Sequence, residues 1–294
     1  MTRAMTSARN RYVYALLGAP CASASSSHVV SSRLVPRVSL DPRSRDMSLE
    51  ERAASYLAGV EHDLVTMREF FGGEQDIEEL FSYNYVDGQG GKWLRKQLRR
   101  AFAREDVHAF FVYYTGHGYY GDGAWYLGNG ADDRLAPGEF FQLWQESLSG
   151  QSGESLLIII SDSCFSGHWV EAAKQAQLKT VAVQSATDQN NPSFDRSETG
   201  GVFTYQVYNR GHHVFQSVFS VTGILTAVAT GLWVLGKETV NLFRTSENKL
   251  YPQVYMSDQF RQIMSRSGGT IQPSKVINNG KFLLVDTFEW IMFR

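Results

Sequence analysis

Two residues, His117 and Cys164, carry the clearest chemical signal in this chain of 294 residues. Each stands in a short glycine-containing loop, Thr115-Gly-His-Gly118 in one case and Ser161-Asp-Ser-Cys-Phe-Ser-Gly167 in the other. A free thiol, with a pKa of about 8.5, is mostly protonated at neutral pH, and an adjacent imidazole raises its thiolate fraction. A cysteine and a histidine brought together therefore suit nucleophilic attack on a carbonyl. Gly116 and Gly118 remove side chains around His117, which would let a substrate backbone approach closely. The amides of Gly118 and Cys164 are natural candidates for an oxyanion hole, where one good donor contributes about 3 kcal/mol. Taken singly, a cysteine after an apolar strand is a small core residue and a histidine beside glycine is a turn residue. The two loops together favour catalysis.

Such a meeting needs strands to deliver both loops to one edge. Val107 to Tyr114 is an apolar and aromatic run with the length of a buried strand, and it ends at the His117 loop. Ser155 to Ile160 is another, running straight into the Cys164 loop. In a parallel sheet these loops share an edge, so residues 47 apart in sequence can meet. Around them the pattern alternates. Ala53, Leu57, Val60, Leu64, Met67 and Phe71 recur at helical spacing, with a capping box at Ser48 and Glu51 and a stop at Gly72-Gly73. Asp76 to Ser82 reads as a strand and the stretch after Gly88 to Gly91 as a helix. The basic residues of that helix, Lys92, Arg95, Lys96, Arg99 and Arg100, lie mostly outside its apolar face and read as a solvated surface. Ala124 to Leu127 suggests a hairpin strand, Glu139 to Leu148 and Trp169 to Gln177 helices, and Thr180 to Gln184 a strand. Helix (Ser257 to Ser265) and strand (Gly280 to Val285) complete the pattern. Strands that are apolar throughout, alternating with helices, imply an α/β domain with a mostly parallel sheet covered on both faces.

Composition narrows the function classes. A net charge of -2, with no long basic stretch interleaved with aromatics, argues against nucleic acid as a partner. The only cysteines are Cys21 and Cys164, so no disulfide framework is expected and a reducing, cytoplasmic compartment is the default. Two cysteines cannot make a Cys-rich zinc site, and the seven histidines show no H-E-x-x-H spacing, so neither metal nor cofactor is expected. Residues 1–48 form a basic, Ser/Arg-rich segment containing a first strand at 11–17, and residues 49–294 form the main domain. That segment has the composition of an organelle transit peptide or, alternatively, of a polar terminal arm around one strand.

Tyr113-Tyr-Thr-Gly-His-Gly118 and Ile160-Ser-Asp-Ser-Cys-Phe-Ser-Gly167 resemble the histidine and cysteine signatures of the caspase-like peptidases, closest to the metacaspase and paracaspase side. In caspases the histidine precedes the cysteine by about fifty residues, as here. Tyr56 to Asp63, Gly200 to Tyr205 and Tyr251 to Val254 resemble further segments of that family, so the likeness spans about residues 11 to 290. It implies a caspase-like three-layer α/β/α sandwich and a cysteine endopeptidase using a Cys164–His117 dyad on protein or peptide substrates. The chain departs from true caspases at Asp162-Ser-Cys-Phe-Ser, and from most metacaspases at Phe165, where histidine is common. Caspases hold a substrate aspartate with arginines and a glutamine, and the position of that glutamine is Asp162 here. Asp188 follows the next strand, where metacaspases place a second pocket acid. Two carboxylates in one pocket favour Arg or Lys through charge-assisted bonds. The alternatives are a structural cap for Asp162 and a solvated loop acid for Asp188.

Pro42-Arg43-Ser-Arg45 is a site where an Arg-specific enzyme would cut itself. Some metacaspases need calcium, but Asp132-Asp133 lacks an EF-hand pattern and supports no calcium site. Residues 214–236 carry no charge and read either as a buried or re-entrant helix or as a membrane-spanning one, which would make the protein membrane-associated. Two other classes remain: a catalytically weak caspase-like scaffold, and a thiol enzyme transferring acyl or amide groups.

Overall fold

A computed structural model of the chain describes residues 11–19, 35–36, 57–72, 77–84, 90–127, 133–148, 155–196, 198–205, 208 and 253–266. The strands are β1 (Arg11–Ala19), β2 (Val35–Pro36), β3 (Ile77–Asn84), β4 (Val107–Gly116), β5 (Trp125–Tyr126), β6 (Arg134–Leu135), β7 (Leu156–Asp162), β8 (Val181–Ser185), β9 (Phe194–Arg196), β10 (Gly200–Gly201) and β11 (Gln253–Met256). The helices are α1 (Gly59–Gly72), α2 (Gly91–Phe102), α3 (Pro137–Leu148), α4 (Gly167–Gln175), the short α5 (Val202–Thr204) and α6 (Asp258–Arg266). Six strands build the main sheet in the order β11-β8-β7-β4-β1-β3. All neighbours run parallel except β11, which joins β8 antiparallel.

The pleat explains why the central strands are apolar at every position. Ala109, Phe111 and Tyr113 of β4 face one core, with Ile158 and Ile160 of β7, Val60, Met67 and Phe71 of α1, and Phe260 of α6. Phe110, Val112 and Tyr114 face the other, with Leu157 and Ile159 and with the apolar stripes of α2, α3 and α4. Successive side chains of a strand point to opposite faces, so a strand covered on both sides must be hydrophobic throughout. The result is the expected three-layer α/β/α arrangement around a mostly parallel sheet. β1 lies in the sheet interior, paired with β4 on one side and β3 on the other.

The first helix differs from its expected extent. Leu57 and Ala58 are not helical, and α1 starts at Gly59. The cause is tertiary: the Gly59 amide donates to Asp195 Oδ2 (3.0 Å), and a Cβ at Gly59 would overlap Asp195 and lie 2.6 Å from the Arg196 carbonyl oxygen. On α2 the basic residues face outward as expected, with Lys92, Lys96, Arg99 and Arg100 exposed and Arg95 paired to Glu139 (2.5 Å). Residues 48–51, 42–45, 132, 214–236 and 280–285 lie outside the described residues. Among the described residues, no helix is long and apolar enough to cross a membrane.

Asp63 interrupts the apolar face of α1. Its carboxylate is buried and accepts from Thr115 Oγ1 (2.5 Å) and the Gly201 amide (2.7 Å), tying the helix to β4 and β10. Removing a buried acceptor leaves its donors desolvated. Asp63→Ala should therefore lower folding stability by about 3 kcal/mol, read as a reduced urea midpoint. An unchanged midpoint would mean that other acceptors replace it.

Candidate active site

β4 and β7 are parallel neighbours with Thr115 opposite Asp162. His117 and Cys164 each lie two residues past that pair, so strand register carries both to the same end of the sheet. The loops are then pressed together by main chain. A Cβ at Gly118 would overlap the Cys164 carbonyl oxygen and lie 3.2 Å from the Cys164 nitrogen. The expectation that Gly116 and Gly118 make room for a substrate backbone is corrected: the space beside Gly118 is taken by the Cys164 backbone, and that beside Gly116 by the Tyr114 hydroxyl and the Ala19 carbonyl. Gly118→Ala must push the two loops apart. Since a displacement near 1 Å can cost about 100-fold, any reaction that needs both loops should fall by about that factor in kcat. A steady-state assay at saturating substrate checks it, and wild-type kcat would show that the close approach is dispensable.

Aromatic packing locks the same two loops. Tyr114, Trp125 and Trp169 form a continuous stack, with ring centroids 4.6 Å and 3.8 Å apart. Each such pair contributes about 1 kcal/mol beyond its burial. The indole nitrogens are satisfied in the same place: Trp125 Nε1 donates to Ser161 Oγ (2.9 Å) and Trp169 Nε1 to the Gly123 carbonyl (2.8 Å). Tyr114 donates its hydroxyl to the carbonyls of His117 and Tyr126, both at 2.8 Å. Thus β4, the hairpin after His117 and the helix after Cys164 form one rigid block. Within the hairpin, Tyr119 donates to Ala124 and Tyr126 donates to His117 (2.9 and 3.1 Å). That pairing leaves the Gly118 amide out of its ladder.

Cys164 is fully buried. Its sulfur accepts from the Ser193 amide (3.3 Å) and its thiol lies 3.6 Å from the Ser193 carbonyl. Ser193 also donates its hydroxyl to Asp162 Oδ1 (3.0 Å), so one residue touches both the nucleophile and the acid two positions before it. Asp162 is itself fully buried, and its Oδ2 accepts from the Thr204 amide (3.1 Å) and hydroxyl (2.7 Å). Tyr113 hydrogen-bonds the same Thr204 hydroxyl (2.6 Å). Tyr208 is pushed well above the ordinary phenol range, first by complete burial and then by the nearby Asp162 charge. Asp188 is placed differently. It is half-buried and accepts from the Asn190 amide and from Asn191 Nδ2, at 2.8 Å each, within its own loop. Next to it, Gly167 at the start of α4 leaves no room for a Cβ against the Asp188 backbone.

Sequence reasoning missed Ser193, Thr204 and Asp63. Only Asp63 left a local trace, as a carboxylate on an otherwise apolar helix face. Asp133 accepts from the Gly91 amide (3.1 Å) at the start of α2. Among the described residues, no group of three or more His, Cys, Asp or Glu side chains could hold a metal ion.

A family model for the caspase domain matches residues 50–263. The chain belongs to the caspase-domain family. This is a family of cysteine peptidases whose substrates are proteins, which fixes the coarse class of the chain. Among solved structures, the crystal structure of caspase-1 from Spodoptera frugiperda is similar at 9% identity, with a TM-score of 0.48, covering 85% of this chain and 91% of that one. No curated protein sequence matches. The matched caspase-domain residues include both chemical loops, the Asp162 surroundings and α1, while β1 lies before them.

Proposed function

We propose that the protein is a cysteine endopeptidase in which His117 and Cys164 form the dyad and which cleaves after Arg or Lys. The observation that carries this reading is the β4/β7 register, which sends both residues to one sheet end with Gly118 pressed on the Cys164 backbone. In the proposed reaction His117 takes the thiol proton and the Cys164 sulfur attacks the scissile carbonyl carbon. The carbonyl oxygen becomes an oxyanion that the Gly118 and Cys164 amides receive. His117 then gives its proton to the departing amine as the C–N bond breaks, leaving a thioester. Water, deprotonated by His117, attacks that thioester and restores the free thiol. Proton transfer and oxyanion binding both come from the chain, so this chemistry requires no cofactor. A reducing, cytoplasmic setting suits a thiol nucleophile.

The basic-residue preference rests on Asp162, with Asp188 as the second acid. Asp162 accepts from the Ser193 and Thr204 hydroxyls, which can rotate away from it, and a carboxylate so placed suits an incoming guanidinium or ammonium. Fluorogenic peptides ending in Arg, Lys or Asp test this, and preferential cleavage after Asp would refute it. A peptidyl chloromethylketone ending in Arg should add once to the wild type and not to Cys164→Ala, as read by intact mass.

One observation favours a second reading, a caspase-like scaffold with little activity: the thiol is fully buried and bonded to Ser193. Absence of native-state alkylation, with labelling restored only on unfolding, would favour it.

A further inference from the structure

The strained main chain next to the nucleophile points to a specificity element. Phe165 adopts φ 56°, one of two positive-φ non-glycine residues among those described. An L-residue in that region costs about 1 kcal/mol, and such strain persists only where the surroundings impose it. Here they do. Gly123, itself at φ 63°, approaches so closely that a Cβ would lie 2.6 Å from the Phe165 carbonyl oxygen. The Phe165 amide is fixed on the Asn191 carbonyl (3.0 Å). The phenylalanine ring is thereby turned toward the loop that carries His117. There Tyr120 meets it edge to face, at 5.2 Å and 82°. Tyr120 is 69% exposed, one of only two large hydrophobic side chains so placed among the described residues.

This rests on the peptidase reading above. In that reaction His117 protonates the departing amine, so the leaving fragment must run past the His117 loop. Tyr120 is three residues beyond His117 in that loop, and Phe165 directly follows Cys164. The acid Asp162, by contrast, is held by Ser193 and Thr204 on other elements. We propose that the exposed ring of Tyr120, backed by the buried Phe165, forms the subsite for the first residue of the leaving fragment and selects a large apolar side chain there. Trp169, stacked on Trp125, donates to the Gly123 carbonyl, and Gly123 abuts the Phe165 carbonyl, so the aromatic pair is preformed and little ordering cost offsets the contact.

The test uses two internally quenched peptides, identical up to and including Arg and differing only in whether Phe or Gly follows. The full-length protein should favour the Phe peptide by about tenfold in kcat/KM, a preference of the size one apolar subsite supplies. Tyr120→Ala should reduce the ratio to about twofold, and Tyr120→Phe should retain it. A ratio is insensitive to partial misfolding, because both peptides report on the same active fraction. A wild-type ratio near one, or an unchanged ratio in Tyr120→Ala, overturns the subsite alone. Cleavage of neither peptide overturns the peptidase reading and the subsite with it.

Discussion

Replacing Cys164 with alanine is expected to lower kcat/KM toward Arg-ended peptides by about 10⁴-fold or more. Groups that act as a unit in covalent catalysis lose nearly all rate enhancement when the nucleophile goes. The residual rate would come from the Gly118 amide and from binding. Stability should change little by comparison. The Cys164 sulfur accepts from the Ser193 amide, and losing a neutral bond of that kind costs about 1 kcal/mol. A near-silent mutation in thermal unfolding, combined with near-complete loss of hydrolysis, separates a chemical role from a packing one. A Cys164→Ala protein that still cleaves at a rate within tenfold of wild type would place the nucleophile elsewhere.

The second large effect belongs to Asp162, where two roles compete. As a cap, its carboxylate satisfies the Ser193 hydroxyl and both donors of Thr204. As a pocket acid, it offers the same oxygens to a cation. Asp162→Ala cannot tell these apart, because it strands the Thr204 amide and should destabilise by about 3 kcal/mol in either case. Asp162→Asn can. It keeps the shape, its oxygen still accepts from the Thr204 amide and hydroxyl, and the Ser193 hydroxyl can reorient to accept from the new NH2. Pairing a buried charge contributes several kcal/mol, so kcat/KM for an Arg peptide should fall by about 100-fold. For the matched citrulline peptide, which has the same shape without charge, it should stay within threefold. Equal losses on both peptides would assign Asp162 to the cap alone.

The strands that carry the site were legible because their physics is local. A strand buried on both faces has to be apolar at every position, and Val107 to Tyr114 and Ser155 to Ile160 announce themselves that way. Their glycine-bounded ends then located His117 and Cys164. The Ser193 contacts were not legible, since they join residues 29 and 31 apart through a loop with no periodic pattern. The two- and three-residue strands β9 and β10 failed for the same reason: a few residues hold no alternation to read. The start of α1 was misjudged because apolar spacing continues through Leu57, whereas the contact of Gly59 with Asp195, 136 residues away, decides where the helix begins. Propensity yields to tertiary structure there.

The position of β1 has its own consequence. Homology would trim this domain to residues 50–263, yet the strand at Arg11–Ala19 separates β4 from β3 within the sheet. A protein cut to the homologous boundary would not simply lose an appendage. It would open a slot, flanked by two raw rows of backbone donors and acceptors of the kind that recruits foreign strands. Residues 11–19 are in that sense a removable keystone, and a nine-residue peptide of their sequence is the natural piece to supply in trans to the shortened chain.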